Sequence, residues 1–311
     1  MSAGPHEWRT ADAAALLRVP GPDSHKYSRG VLGLRTGSHA YPGAAVLGAE
    51  AAWRTGVGLV RYVAPLDQEP AAFGLPSPAA AILAARPETV FSRDRAEDRA
   101  RCDAWLVGSG TDPALRGFAE REALEQLLAG DAPVIVDAGA LDLVAARPAA
   151  PVVVTPHLGE FRALWRQSGF DDEAAERLDP SEAAAILARE LGVTVLLKGS
   201  RTVAAPPDGQ ALIHGPATPW LATAGTGDVL AGILGALVAT HAPEAREDAG
   251  LLARLGATAA LLHDAAARIA SGETWTTGRT AMPVERSGPI TALDVARAVP
   301  SAFASITMSF G

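Results

Sequence analysis

The chain has 311 residues, 48% of them hydrophobic and 20% charged, so it is long enough to bury a large core. Its formal net charge of -8 and pI near 5.4 provide no basic surface for nucleic acid or for an anionic membrane. A single cysteine, Cys102, excludes an internal disulfide, and no segment resembles a signal peptide or a membrane span. We therefore expect a soluble, cytoplasmic protein that binds neither nucleic acid nor membrane.

Short β-rich runs alternate with Ala- and Leu-rich helical runs through most of the chain. The predicted strands begin at Val57, Ala104, Pro133, Pro151 and Val193, with the sequences VGLVRYV, AWLVG, PVIVD, PVVVT and VTVLLK. Continuous apolar strands that alternate with helices are typical of a mostly parallel sheet covered by helices on both faces. The sequence therefore predicts an α/β fold, and we expect residues 1–311 to form one domain.

Two amphipathic helices are predicted between these strands, in ALRGFAEREALEQLLAG and in SEAAAILARELG. Ser181 is the expected cap of the second helix and Gly192 its expected end. After Lys198, a Pro-Asp-Gly turn at residues 207–209 separates two short extended runs, which predicts an antiparallel hairpin at the sheet edge. The acidic segment GFDDEAAERLDP, from Gly169, is predicted to be a surface loop, and a helical C-terminal part extends to about residue 300.

Polar residues directly follow several of the predicted strands. His157 and Glu160 lie at a predicted helix start after VVVT, Lys198 ends the run TVLLK, and Asp137 ends VIVD. Ligands of open α/β sheets bind at the carboxyl ends of the strands, where helix starts offer N–H groups to anions. We interpret Glu160 as the partner in a capping box. Asp137 could belong to a metal or phosphate site or could form a turn, and we leave it outside the catalytic set.

The stretch LATAGTGDVLAG places Asp228 between a turn rich in glycine and threonine and an apolar run long enough for a buried helix. If that helix begins near Asp228, then Gly225, Thr226 and Gly227 present backbone amides at its positive end, as a pocket for a transferring phosphoryl group. Asp228 could accept a proton from a substrate hydroxyl at the same point. The alternative is that Asp228 only caps the helix.

This stretch resembles the anion-hole motif of ribokinase-like enzymes, in particular of the ADP-dependent NAD(P)H-hydrate dehydratases. Further matches follow in the family's order and cover about residues 25–240: HKYSRG, GSHAYPGAAVLGAEAAWRTGVGLV, VGSGTDP, VDAGAL, TPHLGEF and LKGSRTV. The resemblance implies a ribokinase-like fold and the repair of the S form of hydrated NADH and NADPH. In that reaction, ADP with Mg²⁺ phosphorylates the ring hydroxyl, phosphate leaves, and the ring double bond is restored. ATP is left open as the donor, and no metal ligand is assigned.

The resemblance also implies roles for individual residues. The base would be Asp228, and the anion hole would consist of Gly225, Thr226 and Gly227. The residues expected to bind the hydrated cofactor are Gly43, Ala44, Gly110, His157 and Asp228. Those expected along the nucleotide are Lys198, Gly199, Ser200, Arg201, Thr202 and Gly227. Some of these positions have a simpler structural explanation: PGAA can be a helix start, Gly110 a turn residue, and Lys198 a solvated surface charge.

The chain departs from the family pattern in two places. HGPATPWLATAG lacks the asparagine-rich run of many relatives, and Trp220 has no obvious counterpart there. No epimerase domain precedes His25, so we expect dehydration only, with a separate epimerase acting on the same substrate. The Ala-rich helices offer packing surfaces for a homo-oligomer, but the oligomeric state is left open.

A small-molecule kinase and a nucleotide-binding sensor are the two alternatives to the dehydratase. A ribokinase-like kinase of a thiazole or pyridoxal-type alcohol would share the glycine-rich anion hole and the base, but would leave a stable phosphate ester. A nucleotide-binding sensor without catalysis is disfavoured because the candidate base Asp228 is present.

Overall fold

The computed structural model describes residues 4–66, 74–144, 147–171, 173, 177–273, 275 and 287–309. Within these residues, ten strands form one sheet. The strands are β1 His6–Glu7, β2 Val31–Arg35, β3 Leu59–Val63, β4 Val90–Ser92, β5 Ala104–Val107, β6 Val134–Val136, β7 Val152–Val154, β8 Thr194–Leu197, β9 Thr202–Ala205 and β10 Leu212–His214.

The strand order is β1-β10-β9-β8-β7-β6-β5-β2-β3-β4. Every neighbouring pair from β4 to β8 is parallel, whereas β9 is antiparallel to both β8 and β10. The predicted mostly parallel sheet is confirmed, and the Pro-Asp-Gly turn joins the antiparallel strands β9 and β10. The sequence did not predict β1, β2 or β4, although β2 lies inside the sheet between β5 and β3.

Helices cover both faces of the sheet, as predicted. They are α1 Thr10–Ala14, α2 Pro42–Thr55, α3 Pro78–Ala85, α4 Ala96–Arg99, α5 Phe118–Leu128, α6 Leu158–Gln167, α7 Pro180–Leu191, α8 Thr226–Thr240, α9 Ala242–Glu247, α10 Ala249–Ser271 and α11 Ala292–Met308. Alternate residues of β5 enter opposite cores: Leu106 packs with α2, α8, α10 and α11, while Trp105 packs with α5, α6 and α7. None of the helices in the described ranges combines the length and apolarity needed to cross a membrane.

Several predicted helix boundaries need correction. Helix α7 is capped by Asp179, whose side chain accepts a hydrogen bond from the Ser181 amide at 2.9 Å, so the predicted Ser181 cap was wrong. Its end at Gly192, with φ 68°, is confirmed. Helix α11 extends to Met308, beyond the expected limit near residue 300. Part of the predicted acidic loop, residues 172 and 174–176, lies outside the described residues.

Helices α2 and α8 pack closely enough to fix where α8 begins. A Cβ atom added at Gly232 of α8 would lie 2.4 Å from the carbonyl oxygen of Gly48 in α2 and 2.9 Å from the Ala51 Cβ. At Gly48 itself, an added Cβ would meet Leu106 and the Asp228 carbonyl at ordinary distances of 3.7 and 3.9 Å. The close backbone approach at Gly232 therefore anchors the helix whose first turn carries Asp228.

We expect Gly232→Ala to destabilise the protein by roughly 1–3 kcal/mol, because an extra methyl group in a filled helix contact forces the backbones apart. Gly48→Ala is the matched control on the facing helix. It should leave stability unchanged or raise it by up to about 1 kcal/mol through helix propensity. Urea unfolding of both variants measures the difference, and equal midpoints would show that the α2–α8 contact is not filled as described.

Candidate active site

Side chains from the ends of four neighbouring strands meet at one buried carboxylate. Asp137, directly after β6, accepts hydrogen bonds from the Ser109 hydroxyl at 2.8 Å and from the Thr155 hydroxyl at 2.7 Å. The Lys198 ammonium, after β8, donates to the same carboxylate at 2.8 Å. Three donors thus surround a side chain that is 3% exposed. The sequence left Asp137 open between a turn and a metal or phosphate site and did not predict these contacts.

Lys198 is held at both its backbone and its side chain. Its amide donates to the Pro156 carbonyl at 2.8 Å, and its side chain is 19% exposed. A Cβ atom added at Gly227 would lie 3.6 Å from Nζ, so the ammonium lies between Asp137 and the start of α8. Burial alone would lower the pKa of Lys198, but the Asp137 charge and hydrogen bond outweigh burial and raise it. Lys198 is therefore a fixed positive charge, and the alternative of a solvated surface lysine is wrong.

The start of α8 has the form of an anion site. Gly225 is the N-cap with φ 86°, a left-handed conformation that favours glycine, and an added Cβ would lie 2.6 Å from Leu47. The Thr226 amide donates to the Thr223 carbonyl at 3.3 Å, which leaves the following amides of the first turn to face an anion. Within the described residues, a Cβ atom added at Gly227 would meet only the Lys198 ammonium, so a phosphoryl group can approach this backbone.

Asp228 lies in the first turn of α8, three residues after the N-cap Gly225, and no side chain caps this helix. The alternative that Asp228 is the helix cap was therefore wrong. Burial, followed by the negative charge of Asp137, raises the pKa of Asp228 to about 6, while Lys198 acts in the opposite direction. Asp228 is thus mostly ionised at neutral pH and is a stronger base than an ordinary aspartate.

Helix α2 packs against the start of α8, where a Cβ atom added at Gly225 would lie 2.6 Å from Leu47 of α2. Helix α2 begins at Pro42, which confirms the helix start in PGAA, and a Cβ atom added at Gly43 would meet open space. Gly110, with φ 68°, lies against α2, because an added Cβ there would be 2.4 Å from the Ala44 Cβ. The fold therefore brings the predicted residues Gly43, Ala44 and Gly110 to one wall.

His157 caps helix α6. Its Nδ1 accepts hydrogen bonds from the Gly159 and Glu160 amides at 3.0 and 3.2 Å, and the Glu160 carboxylate accepts one from the His157 amide at 2.8 Å. The capping-box interpretation of Glu160 is confirmed. Because Nδ1 is an acceptor, the neutral ring carries its proton on Nε2. The side chain is 62% exposed, so that N–H can still reach a ligand.

A cavity of about 830 Å³ opens beside Lys198 and the start of α8. Five of the predicted nucleotide-binding residues line it: Lys198, Gly199, Ser200, Thr202 and Gly227. Arg201 is exposed and is not among the described residues that line this cavity. Leu230 and Ala260 add an apolar wall. The volume and the mixture of apolar and charged groups suit a nucleotide-sized ligand.

The far wall of this cavity was not predicted from the sequence. It contains residues 216–219 and, from α10, His263 and Arg268. Asp264 accepts hydrogen bonds from the Thr218 amide at 2.7 Å and from Arg268 at 3.1 Å, which ties the loop to α10. Burial lowers the pKa of His263 to about 4, so its ring is neutral at physiological pH. No local motif marks these residues, because α10 reaches the site only through packing.

The described residues hold no group of three or more His, Cys, Asp or Glu side chains that could bind a metal ion. The oxygens of Asp137 are already occupied by three donors of the protein. A resident metal therefore does not fit these side chains, whereas Mg²⁺ commonly enters such sites on the phosphates of a nucleotide.

The family described as NAD(P)H-hydrate dehydratase matches residues 32–287. The "Bifunctional NAD(P)H-hydrate repair enzyme Nnr" of Mycobacterium tuberculosis is 41% identical over 243 residues, which cover 76% of this chain and 46% of that protein. The chain thus spans about half the length of that curated relative.

Two further relatives match over most of their own length. The "ADP-dependent (S)-NAD(P)H-hydrate dehydratase" of Xanthomonas campestris pv. campestris is 34% identical over 74% of this chain and 80% of that protein. The crystal structure of the ADP/ATP-dependent NAD(P)H-hydrate dehydratase from Bacillus subtilis, co-crystallized with ATP/Mg²⁺, has a TM-score of 0.74 and 26% identity. That match covers 98% of this chain and 100% of the other and confirms the ribokinase-like fold. With the family matched across residues 32–287, the chain belongs to the NAD(P)H-hydrate dehydratase family.

Proposed function

We propose that this chain catalyses the ADP-dependent dehydration of the S form of hydrated NADH and NADPH. The observation that carries the proposal is the position of Asp228. A base with a pKa raised to about 6 lies in the first turn of α8, near the fixed ammonium of Lys198 and in a helix that packs against α2. One wall of the site, which contains Lys198 and Gly227, lines the nucleotide-sized cavity. The other wall lies at the start of α2, where the space beside Gly43 is open. A base between two ligands is the arrangement that phosphoryl transfer from one to the other requires.

The proposed reaction begins when Asp228 removes the proton from the ring hydroxyl as its oxygen attacks the terminal phosphorus of ADP. AMP leaves, and the new phosphate ester then departs as phosphate with the former ring oxygen. Loss of one ring proton restores the double bond, so that hydrate and ADP give the reduced cofactor, AMP and phosphate. The Lys198 ammonium and the first amides of α8 stabilise the charge that develops on the transferring phosphoryl group.

The two walls would bind the two substrates separately. The nucleotide would occupy the cavity along Lys198, Gly199, Ser200 and Thr202, bringing Mg²⁺ with its phosphates. The hydrated ring would lie against Gly43, Ala44 and Gly110, where the small side chains leave room for a flat ring. The His157 Nε2–H could donate to its carboxamide or to a ribose oxygen. Arg201 is the weakest of the proposed nucleotide contacts, because it does not line the cavity.

The kinase of a thiazole or pyridoxal-type alcohol stays the second candidate, because it would use the same base and anion hole. The product separates the two reactions. A kinase leaves a phosphate ester that persists, whereas a dehydratase releases phosphate and restores the dihydronicotinamide ring.

We expect the purified protein, given hydrated NADH or NADPH with ADP and Mg²⁺, to restore the absorbance of the dihydronicotinamide and to release one phosphate for each ring restored. Reactions without nucleotide, with ATP, and with EDTA in place of Mg²⁺ are the matched controls. A stable phosphorylated product would favour the kinase. Nucleotide binding without any turnover would contradict both enzymes and favour a sensor.

A further inference from the structure

Asp137 lies at the centre of the site and has no part in the proposed chemistry. It is not among the described residues that line the nucleotide cavity, and its carboxylate accepts hydrogen bonds from Ser109, Thr155 and Lys198. The last of these contacts is an ion pair 2.8 Å long in which both side chains are largely buried. A buried ion pair is weak evidence for stability, because the desolvation of both charges offsets their attraction. Its position beside the base requires another explanation.

Lys198 has three negative charges within its electrostatic reach at this end of the sheet. The negative charges of Asp137, Glu160 and Asp228 all raise the pKa of Lys198. Glu160 is engaged in the capping box of α6, so Asp137 and Asp228 are the two carboxylates that can compete for the ammonium. Of these two carboxylates, Asp137 is the one that forms an ion pair with the Lys198 ammonium.

If the Lys198 ammonium paired with Asp228, neither side chain could perform its proposed role. A carboxylate beside a positive charge has a lowered pKa and becomes a weaker base. An ammonium occupied by Asp228 would also no longer face a phosphoryl group at Gly227. In the observed arrangement the Lys198 ammonium is bonded to Asp137, and the Asp228 carboxylate makes no hydrogen bond or ion pair within the described residues.

We infer that Asp137 is a positioning residue that holds the Lys198 ammonium against the anion hole and away from Asp228, so that the base stays unpaired. Ser109 and Thr155 orient the carboxylate for this purpose from the two neighbouring strands. The inference rests on the proposed function for its catalytic meaning, but the ion-pair exchange that it predicts is independent of turnover.

The direct test is the titration of Asp228, followed by the carbon-13 resonance of its side-chain carboxyl and assigned with Asp228→Asn. In the native protein we expect a midpoint near pH 6, as burial and Asp137 raise it. In Asp137→Asn the ammonium is released to Asp228, and the midpoint should fall towards about 4, the usual aspartate value. In Lys198→Met the opposing charge is lost, and the midpoint should rise.

The double variant Asp137→Asn/Lys198→Met separates pairing from a general disturbance of the site. Without an ammonium to pair with Asp228, its midpoint should lie well above that of Asp137→Asn alone. Thr155→Val keeps both charges but removes one of the donors that orient Asp137, so its midpoint should fall in the same direction as that of Asp137→Asn and by less. Loss of the two charges would by itself move the single variants in opposite directions, so the discriminating quantity is the effect of Lys198→Met in each background. If the ammonium pairs with Asp228 once Asp137 is neutral, Lys198→Met should raise the midpoint more in Asp137→Asn than in the native protein, whereas independent charges would give equal rises.

Turnover supplies a second readout. The acid limb of the pH–rate profile should follow the same shifts, and Asp137→Asn should lose about ten- to a hundredfold in turnover at pH 7. An unchanged Asp228 midpoint in Asp137→Asn would overturn the inference. Should that variant not fold, Ser109→Ala/Thr155→Val decides, because it keeps every charge but removes the two hydroxyl donors that orient Asp137. The Asp228 midpoint should then fall, and a native midpoint would overturn the inference. If the titrations shift as expected while no dehydration is found, the proposed function fails and the positioning role stands.

Discussion

Asp228→Asn is expected to lower the rate of dehydration by about 10²- to 10⁴-fold, the contribution typical of a general base. The amide has nearly the size of the carboxylate but cannot accept the proton of the ring hydroxyl. No hydrogen bond from Asp228 caps α8, so the substitution removes no described contact. Steady-state turnover with hydrated NADPH, ADP and Mg²⁺ measures the loss.

Stability should change little or rise in the same variant. Burial raises the pKa of Asp228 to about 6, so the carboxyl stabilises the fold relative to the unfolded chain at low pH. That contribution is lost as the pH rises through the folded-state value, and at pH 7 the buried negative charge opposes folding. The urea midpoint of Asp228→Asn at pH 7 is therefore expected to equal or exceed that of the native protein.

Asp294→Asn is the matched control, since Asp294 occupies the same third position in α11. Its carboxylate does accept hydrogen bonds from Thr291, at 2.9 Å from the amide and 2.7 Å from the hydroxyl. We expect this control to lose about 1 kcal/mol of stability and to keep its turnover. An Asp228→Asn enzyme with native turnover would remove Asp228 from the role of base.

Gly227→Val is expected to reduce turnover at least about 10²-fold, the effect of losing one donor of an anion hole. The added methyl groups would occupy the space between the start of α8 and the Lys198 ammonium, where the transferring phosphoryl group must fit. The protein should stay folded, because a Cβ atom at Gly227 meets Nζ at an ordinary 3.6 Å. Gly225 could not serve for this test, because its positive φ and the nearby Leu47 make any side chain destabilising.

Gly250→Val controls for the effect of valine itself. Gly250 is the second residue of α10, as Gly227 is the second residue of α8, and its added Cβ would meet only the ends of the Asp248 and Arg254 side chains. Turnover should be retained in this control and lost in Gly227→Val, with similar melting temperatures for both. Full turnover in a folded Gly227→Val enzyme would show that the phosphoryl group does not approach this backbone.

Local sequence patterns were sufficient for the elements whose stability is local. Five parallel strands, the buried helix α8, the hairpin turn and the end of α7 at Gly192 each follow from apolar runs or turn residues within a few positions. Strand β2 was missed, although it lies between β5 and β3, because its five residues include Gly33 and form only a short apolar run. Its place depends on packing against Trp105, which an added Cβ at Gly33 would meet at 2.5 Å.

Within the site, the motif around Asp228 and the lysine after β8 were recognisable from the sequence. The motif alone could not distinguish a base from a helix cap, because aspartate is favoured in both positions. The N-cap at Gly225 and the burial of Asp228 decided between them, and both depend on how α8 packs.

Only the tertiary structure revealed what surrounds these residues. Asp137 and Lys198 are 61 positions apart, and α10 contributes His263 and Arg268 to a cavity lined mainly by residues 198–230. By itself, the sequence determined which residues carry a charge, which runs are apolar and where the chain turns, since these are properties of neighbouring residues. Which charges meet, how deeply they are buried and hence how far their pKa values shift were decided by the packing of distant segments, because electrostatic interactions depend on distance in space and on exclusion of water.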